Sequence, residues 1–270
     1  MNWVLTRKAL RDYGWLIAAA ALLLFGFVIV FVFAATSVNI EQRLDIMKTP
    51  WVRRLISSLI GGDIIDNFTR TGMIAFAFAH PAAWAMMLTF IITTSSGLIA
   101  GEIDRGSFDF VATLPISRTR IYVTYSIVLA TACGVLCLAI WLGACVGLAL
   151  IGEKDADLGT LLIVAGHLYV TCLCIVGLSM ATSGMCNRRS VAIGICFFYV
   201  FYSFVLNVLE AFWPAAERIG FTGFMHFYKP LPIARDAAWQ WDNLGILMSA
   251  GLVIWVIGWL RFARRDLPGA

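Results

Sequence analysis

Apolar positions along this chain do not alternate with polar ones; they come in blocks. Six blocks, at 15–35, 82–100, 122–152, 158–186, 190–213 and 244–260, are almost free of charge and together hold about half of the 270 residues. A run of roughly 20 apolar residues is long enough to cross the hydrocarbon core of a bilayer as an α-helix. A helix is also the form in which a spanning segment satisfies its own backbone. A membrane β-barrel would instead show short alternating segments, and none occur. The last block is the shortest and is expected to borrow a residue or two at each end. The first is too long for the apolar part of a cleavable signal peptide, and no small-residue cleavage motif follows it. The pattern predicts an all-α polytopic membrane protein with six transmembrane helices.

Composition sharpens that reading. Apolar residues make up 61% of the chain and charged residues 13%, with a mean hydropathy of +0.86. Soluble domains run near one quarter charged, so a water-soluble globular protein and a disordered one are both excluded. The net charge is only +4 and the 20 basic residues are scattered. That argues against a nucleic-acid partner, which favours a basic stripe.

The distribution of Lys and Arg sets orientation. With the N-terminus inside, segments 1–13, 101–121, 187–189 and 261–270 carry eleven basic residues, whereas the longer outer segments 36–81, 153–157 and 214–243 carry nine. Both termini are therefore expected to be cytoplasmic, with 1–14 forming an interface helix ahead of the first span. All seven cysteines fall inside the predicted spans, so no disulfide framework is implied. Cys133 and Cys137 share a helix face, which suits either small-residue packing or a soft-metal site.

The outer segments predict broken structure. Thr49 and Pro50 open a short helix that Gly61 closes, with Val52, Leu55, Ile56 and Leu59 on one face, as in a helix lying in the interface. The run 73–79 is apolar but too short to span, and His80-Pro81 separates it from the second span. Asn67-Phe68-Thr69 fits a glycosylation acceptor. Segment 214–243 combines six aromatics with three prolines, which predicts a broken, partly re-entrant pair of short helices at the interface.

The inner loop 101–121 carries the most information. Gly106 permits a break, Ser107 is placed to cap a new helix, and Asp109 favours its first turn. Pro115 ends that helix, and Ser117 caps the third span, with Arg118 and Arg120 at the headgroups. Phe108, Phe110, Val111 and Leu114 would be exposed on more than one side. So apolar a helix either lies on lipid or plugs into a groove on another protein.

Glu102-x-x-x-Gly106-Ser107 followed by Leu114-Pro115-x-Ser117-Arg118 resembles the signature loop of ABC-2 type permeases. There, a Gly-Glu-x-x-x-Gly-Thr run leaves the second helix and a Leu-x-x-Pro-x-Ser-Arg run precedes the third. Thr6-Arg7-Lys8-Ala9-Leu10-Arg11-Asp12 is similar to that family's opening Arg-Lys-Glu-Leu run. Ala79-His80-Pro81 is similar to the subgroup containing the membrane subunit of the nitrous-oxide-reductase maturation transporter. Ser107 stands where Thr is commoner and Ala9 where Glu is commoner.

The resemblance implies the permease subunit of an ATP-driven transporter, an exporter in the bacterial inner membrane, assembled as a homodimer with two ATPase subunits. The chain has no Gly-x-x-x-x-Gly-Lys-Ser/Thr phosphate loop. It is thus expected to bind no cofactor and catalyse nothing itself, with ATP and Mg held by the partner ATPase. Residues 107–114 become a coupling helix. Glu102, Asp104, Arg105, Gly106, Ser107, Phe108, Asp109, Val111, Leu114, Pro115 and Arg118, with Arg188 and Arg189 of the next inner turn, form the expected ATPase-coupling set.

Two polar stripes are candidates for the substrate path: Thr89, Thr93 and Ser96 in the second span, and Tyr199, Tyr202, Ser203, Asn207 and Glu210 in the fifth. The family places these helices at the dimer centre; polar glue between helices is the competing reading. Neither stripe is strongly charged, which suits a lipid-like, amphipathic or peptide cargo. The alternative function is an ion-coupled secondary transporter, which needs ionisable groups at mid-depth; only His167 and Glu210 lie within the spans. An intramembrane Ser–His hydrolase is disfavoured, because Ser95 and Ser96 lie at the opposite depth from His167.

Overall fold

The computed structural model describes residues 2–37, 49–61, 69–108, 116–153 and 155–265. Among them there are helices and turns and no strand. The helices are α1 (Trp3–Ser37), α2 (Pro50–Ile60), α3 (Arg70–Ala75), α4 (Pro81–Leu98), α5 (Ala100–Asp104), α6 (Arg118–Ile151), α7 (Leu158–Met185), α8 (Arg189–Glu210), α9 (Pro214–Glu217), α10 (Pro230–Asp236) and α11 (Trp241–Arg264). Single turns of 3₁₀ helix at Phe76–Phe78, Gly220–Thr222 and Phe224–Phe227 link the short pieces. Six helices are long and apolar enough to cross a membrane: α1, the α3–α4 unit Arg70–Leu98, α6, α7, α8 and α11.

Several boundaries differ from the sequence expectation, each for a local reason. The interface helix at 1–14 and the first span are one continuous helix of 35 residues. Gly14 alone does not break it, and no proline intervenes. At 1.5 Å per residue α1 is about 50 Å long, well beyond the hydrocarbon core of about 30 Å. The last helix reaches Arg264, gaining a further turn with two arginines, Arg261 and Arg264, that hydropathy alone would not place in a span. In α2, Pro50 occupies the first turn and Gly61 closes the helix in the left-handed conformation, but the Thr49 hydroxyl makes no cap bond. Residues 109–115 and 67–68 lie outside the described residues, so the expected coupling helix beyond Phe108 and the glycosylation acceptor do as well.

Packing between the long helices relies on small residues that let backbones touch. Gly177, Ala181 and Gly184 of α7 face Gly251 and Gly258 of α11. A Cβ on Gly177 would come within 2.4 Å of the Gly251 carbonyl oxygen, and one on Gly258 within 2.3 Å of the Ala181 Cα. The seam between α1 and α6 is built alike: a Cβ on Gly143 would lie 2.7 Å from the Phe25 carbonyl oxygen. Lipid gives helices no hydrophobic reason to associate, so close van der Waals contact of this kind supplies the attraction. Polar pins add to it. Tyr122 Oη donates to the Trp255 carbonyl (3.2 Å), Trp255 Nε1 to Ser126 Oγ (2.8 Å) and Trp259 Nε1 to Thr119 Oγ1 (3.1 Å).

Asn2 and Arg265, the first and last described residues, lie at one end of the bundle, called here the terminal face. The Asn2 backbone N–H donates to Thr124 Oγ1 (3.1 Å) near the start of α6, and Arg118 donates to the carbonyl of Arg265 at the end of α11.

Gly258→Val should be far more damaging than its volume suggests, because the obstructing atom is backbone. We expect a loss of about 2 kcal/mol or more and a clearly lower unfolding midpoint in detergent. Gly194→Val serves as the control, since a Cβ there meets nothing within 4 Å. Equal midpoints for the two variants would refute the packing account.

Candidate functional site

The terminal-face loop begins with a break in the second spanning helix. α4 ends at Leu98, Ile99 leaves the helical region (φ −123°, ψ −67°), and α5 starts at Ala100. The break exposes backbone groups, and Ser183 of α7 satisfies two of them. Its hydroxyl donates to the Ser95 carbonyl (2.7 Å) and accepts from the Ala100 N–H (3.1 Å). The chain then turns at Gly106, whose φ of +70° is unfavourable for any side-chain-bearing residue.

Glu102 is the electrostatic centre of this loop. Its Oε1 accepts from Lys8 Nζ of α1 (3.1 Å) and Arg105 Nη2 (3.1 Å), and its Oε2 from Ser107 Oγ (2.7 Å). Burial pushes the Glu102 carboxyl up, but the Ser107 hydroxyl, the Lys8 ammonium and the Arg105 guanidinium outweigh it and hold the group below its ordinary value. Asp104 acts on a different helix: its Oδ2 accepts from the Arg189 N–H (3.2 Å), capping the start of α8, where Arg188 supplies no side-chain cap. The Arg189 side chain folds back along α4 to the Thr93 carbonyl (3.1 Å) and Ser96 Oγ (3.4 Å). Arg188 and Arg105 remain exposed.

Phe108 differs from the expectation. Its ring is 4% exposed and meets Phe262 of α11 edge-on, with centroids 6.0 Å apart. It is an internal anchor that fastens the loop to the last helix, not an outward-facing aromatic awaiting a partner's groove. Arg118 belongs to the same end, joined to Arg265, whose Nη1 donates to the carbonyls of Gly184 (3.0 Å) and Cys186 (3.2 Å). Asp109, Val111, Leu114 and Pro115 lie outside the described residues.

The two polar stripes are used within the chain. In α4, Thr93 Oγ1 donates to the Thr89 carbonyl (2.6 Å) and Ser96 Oγ to the Thr93 carbonyl (3.1 Å), while Thr89 itself is exposed. In α8, all five residues reach the segments packed at the end of the bundle away from the terminal face. Tyr199 Oη donates to the Thr222 carbonyl (3.1 Å), and Tyr202 Oη lies 2.7 Å from Thr222 Oγ1. Ser203 Oγ accepts from the Met225 N–H (3.2 Å), and Glu210 bonds His226 Nδ1 (3.0 Å). Asn207 Nδ2 donates to the Ser58 carbonyl of α2 (3.0 Å), and its Oδ1 accepts from Lys229 Nζ, which also donates to Ser58 (3.2 Å). Burial pushes the Lys229 ammonium below its ordinary value, with the Glu210 carboxylate opposing.

His167 is engaged through both ring nitrogens. Nε2 accepts from the Gln240 N–H (3.1 Å), which places the proton on Nδ1, facing the Ile163 carbonyl (2.9 Å). The ring stacks on Trp239, with centroids 5.2 Å apart. It therefore positions the entry into α11, and neither nitrogen is open for proton relay. Among the described residues no group of three or more His, Cys, Asp or Glu is placed to hold a metal.

Sequence reasoning missed Lys8, Ser183 and Lys229. Lys8 sits in the run 6–12, but its partner is more than 90 residues away. Ser183 and Lys229 carry no local signal at all. No protein-family model matches the chain, and no curated protein matches it.

Two predictions follow from this geometry. Because the native carboxyl of Glu102 is depressed, its stabilisation is complete above the ordinary glutamate value of about 4.3 and is lost as pH falls through the lower native value. The stability advantage of the wild type over Glu102→Gln, read as unfolding midpoint in detergent, should hold from pH 7 to about 5 and then fall away progressively as pH drops through the depressed native value. A difference independent of pH would remove the charge argument. At the opposite end, Asn207→Leu leaves a buried ammonium short of a partner, whereas Asn207→Leu with Lys229→Met removes both groups. The double variant should be more stable than the single by about 1 kcal/mol or more; strict additivity would contradict the pairing.

Proposed function

We propose that this chain is the permease subunit of an ATP-binding-cassette transporter of the ABC-2 type. One observation carries the reading. The loop that resembles the family's coupling element is built as a braced platform on the same face as both chain ends. Lys8–Glu102 ties it to α1, Asp104–Arg189 to α8, and Phe108–Phe262 to α11. Force applied to such a loop is transmitted to three spanning helices together, which is what a separate ATPase needs in order to move a membrane domain. The exposed Arg105 and Arg188 at its rim offer charge to a partner, while Glu102, Asp104, Ser107, Phe108, Arg118 and Arg189 act as positioning residues.

In this reading the terminal face is cytoplasmic, in keeping with its eleven basic residues. The protein sits in the bacterial inner membrane as a homodimer with two ATPase subunits. ATP and Mg belong to those subunits, and the chain exports a lipid-like, amphipathic or peptide cargo. An ion-coupled carrier is less well supported, because His167 and Glu210 are both engaged in holding the fold.

The decisive experiment is a photo-crosslinking scan in intact cells. A crosslinking residue at Arg105 or Arg188 should capture a protein bearing an ATPase phosphate loop, whereas the same residue at Trp51 or Phe221, at the other end of the bundle, should not. A single cysteine at position 105 in a cysteine-free background should stay unlabelled by an impermeant thiol reagent added outside. Labelling from outside, or capture of an ATPase at neither Arg105 nor Arg188, would overturn the proposal.

A further inference from the structure

At the terminal face, the last turns of α11 and the end of α7 border an open groove of about 620 Å³ lined by Met185, Ile257, Leu260, Arg261, Arg264 and Arg265. Its lining divides into two chemistries. Met185, Ile257 and Leu260 are 48%, 49% and 40% exposed. They belong to helices long and apolar enough to span a bilayer, where an exposed apolar side chain meets lipid rather than water. Arg261 and Arg264 are also exposed, and among the described residues no carboxylate pairs with either. Arg265 is different. Its bonds to the Gly184 and Cys186 carbonyls close the end of α7 and fix that wall of the groove.

Order along the helix makes this more than a basic patch. Ile257, Arg261 and Arg264 recur at i, i+4 and i+7, so they share one face of α11. Ile257 lies about 10 Å further along the axis than Arg264. The groove thus has cations at the helix end and an apolar wall leading toward the bilayer interior. That is the polarity profile of a phospholipid, with a charged head and then an acyl chain, and the unpaired guanidiniums select a negative head. Basic pockets between spanning helices are suited to anionic head groups, and a guanidinium fork matches phosphate oxygens.

We infer that this groove binds one anionic phospholipid, its phosphate between Arg261 and Arg264 and an acyl chain along Ile257, Leu260 and Met185. The site is independent of the ATPase reading, since it requires only that α7 and α11 lie in a bilayer.

The test uses the full chain, purified and delipidated in a neutral detergent. Binding is followed by native mass spectrometry and by the unfolding midpoint on adding back phosphatidylglycerol, phosphatidylcholine with the same acyl chains, or inorganic phosphate. Phosphatidylglycerol should occupy one site and raise the midpoint, at least tenfold more tightly than phosphatidylcholine, and millimolar phosphate should not displace it. The R261Q/R264Q variant should weaken phosphatidylglycerol roughly tenfold or more, whereas R7Q/R11Q, which removes two exposed arginines of α1, should change it by less than twofold. Equal binding of the two lipids by the wild type would overturn the assignment whether or not the variant folds. So would full displacement by phosphate, which would mark a soluble-anion site, or wild-type affinity in R261Q/R264Q.

Discussion

A backbone amide that leaves its helix inside a bilayer has no water to turn to, and each one left unpaired costs several kcal/mol. That constraint bears on the irregular features at both ends of the bundle among the described residues. At Ile99 the second spanning helix breaks, and one hydroxyl from α7 rejoins the severed ladder by serving Ser95 and Ala100 together. The platform beyond the break exists because of that substitution. Without Ser183, the turn at Gly106 and the carboxylate of Glu102 would have no fixed base to project from.

The same constraint explains the far end of the bundle. Four short helical pieces replace a regular helix between α8 and α11, and their polar groups need partners. α8 supplies them through Tyr199, Tyr202, Ser203, Asn207 and Glu210, spread along roughly one side of the helix over about three turns. All five side chains are thereby occupied by bonds within the chain. Their location ties the short pieces at this end of the bundle to α8. The start of α8, in turn, is capped by Asp104 of the opposite loop. One helix therefore joins the two ends mechanically.

Close packing sets how rigid that linkage is. α7 and α11 touch backbone to backbone along Gly177, Ala181, Gly251 and Gly258, and α1 and α6 do so at Gly143. Seams without intervening side chains slide poorly, so displacement of α11 carries α7 with it. Phe108, buried against Phe262, attaches the loop to that pair.

Spans, their number and their blocks of hydrophobicity were legible from the chain alone, because a bilayer demands long apolar runs and little else satisfies them. The helix ends at Ser117, Gly61 and Pro81 were legible too, since caps and prolines act within four residues. The joining of segment 1–14 to the first span was not, for nothing local distinguishes a long helix from two shorter ones in line. Side-chain roles were the least legible. Phe108 reads as exposed in a polar loop and is buried, because its cover comes from a residue more than 150 positions later. The polar stripe of α8 reads as a conduit or as glue; only the tertiary fold, by laying the segment between α8 and α11 across it, decides where each hydrogen bond goes. Apolar length is a property of the sequence itself, whereas the partner of a polar group is chosen by whatever the fold brings within 3 Å.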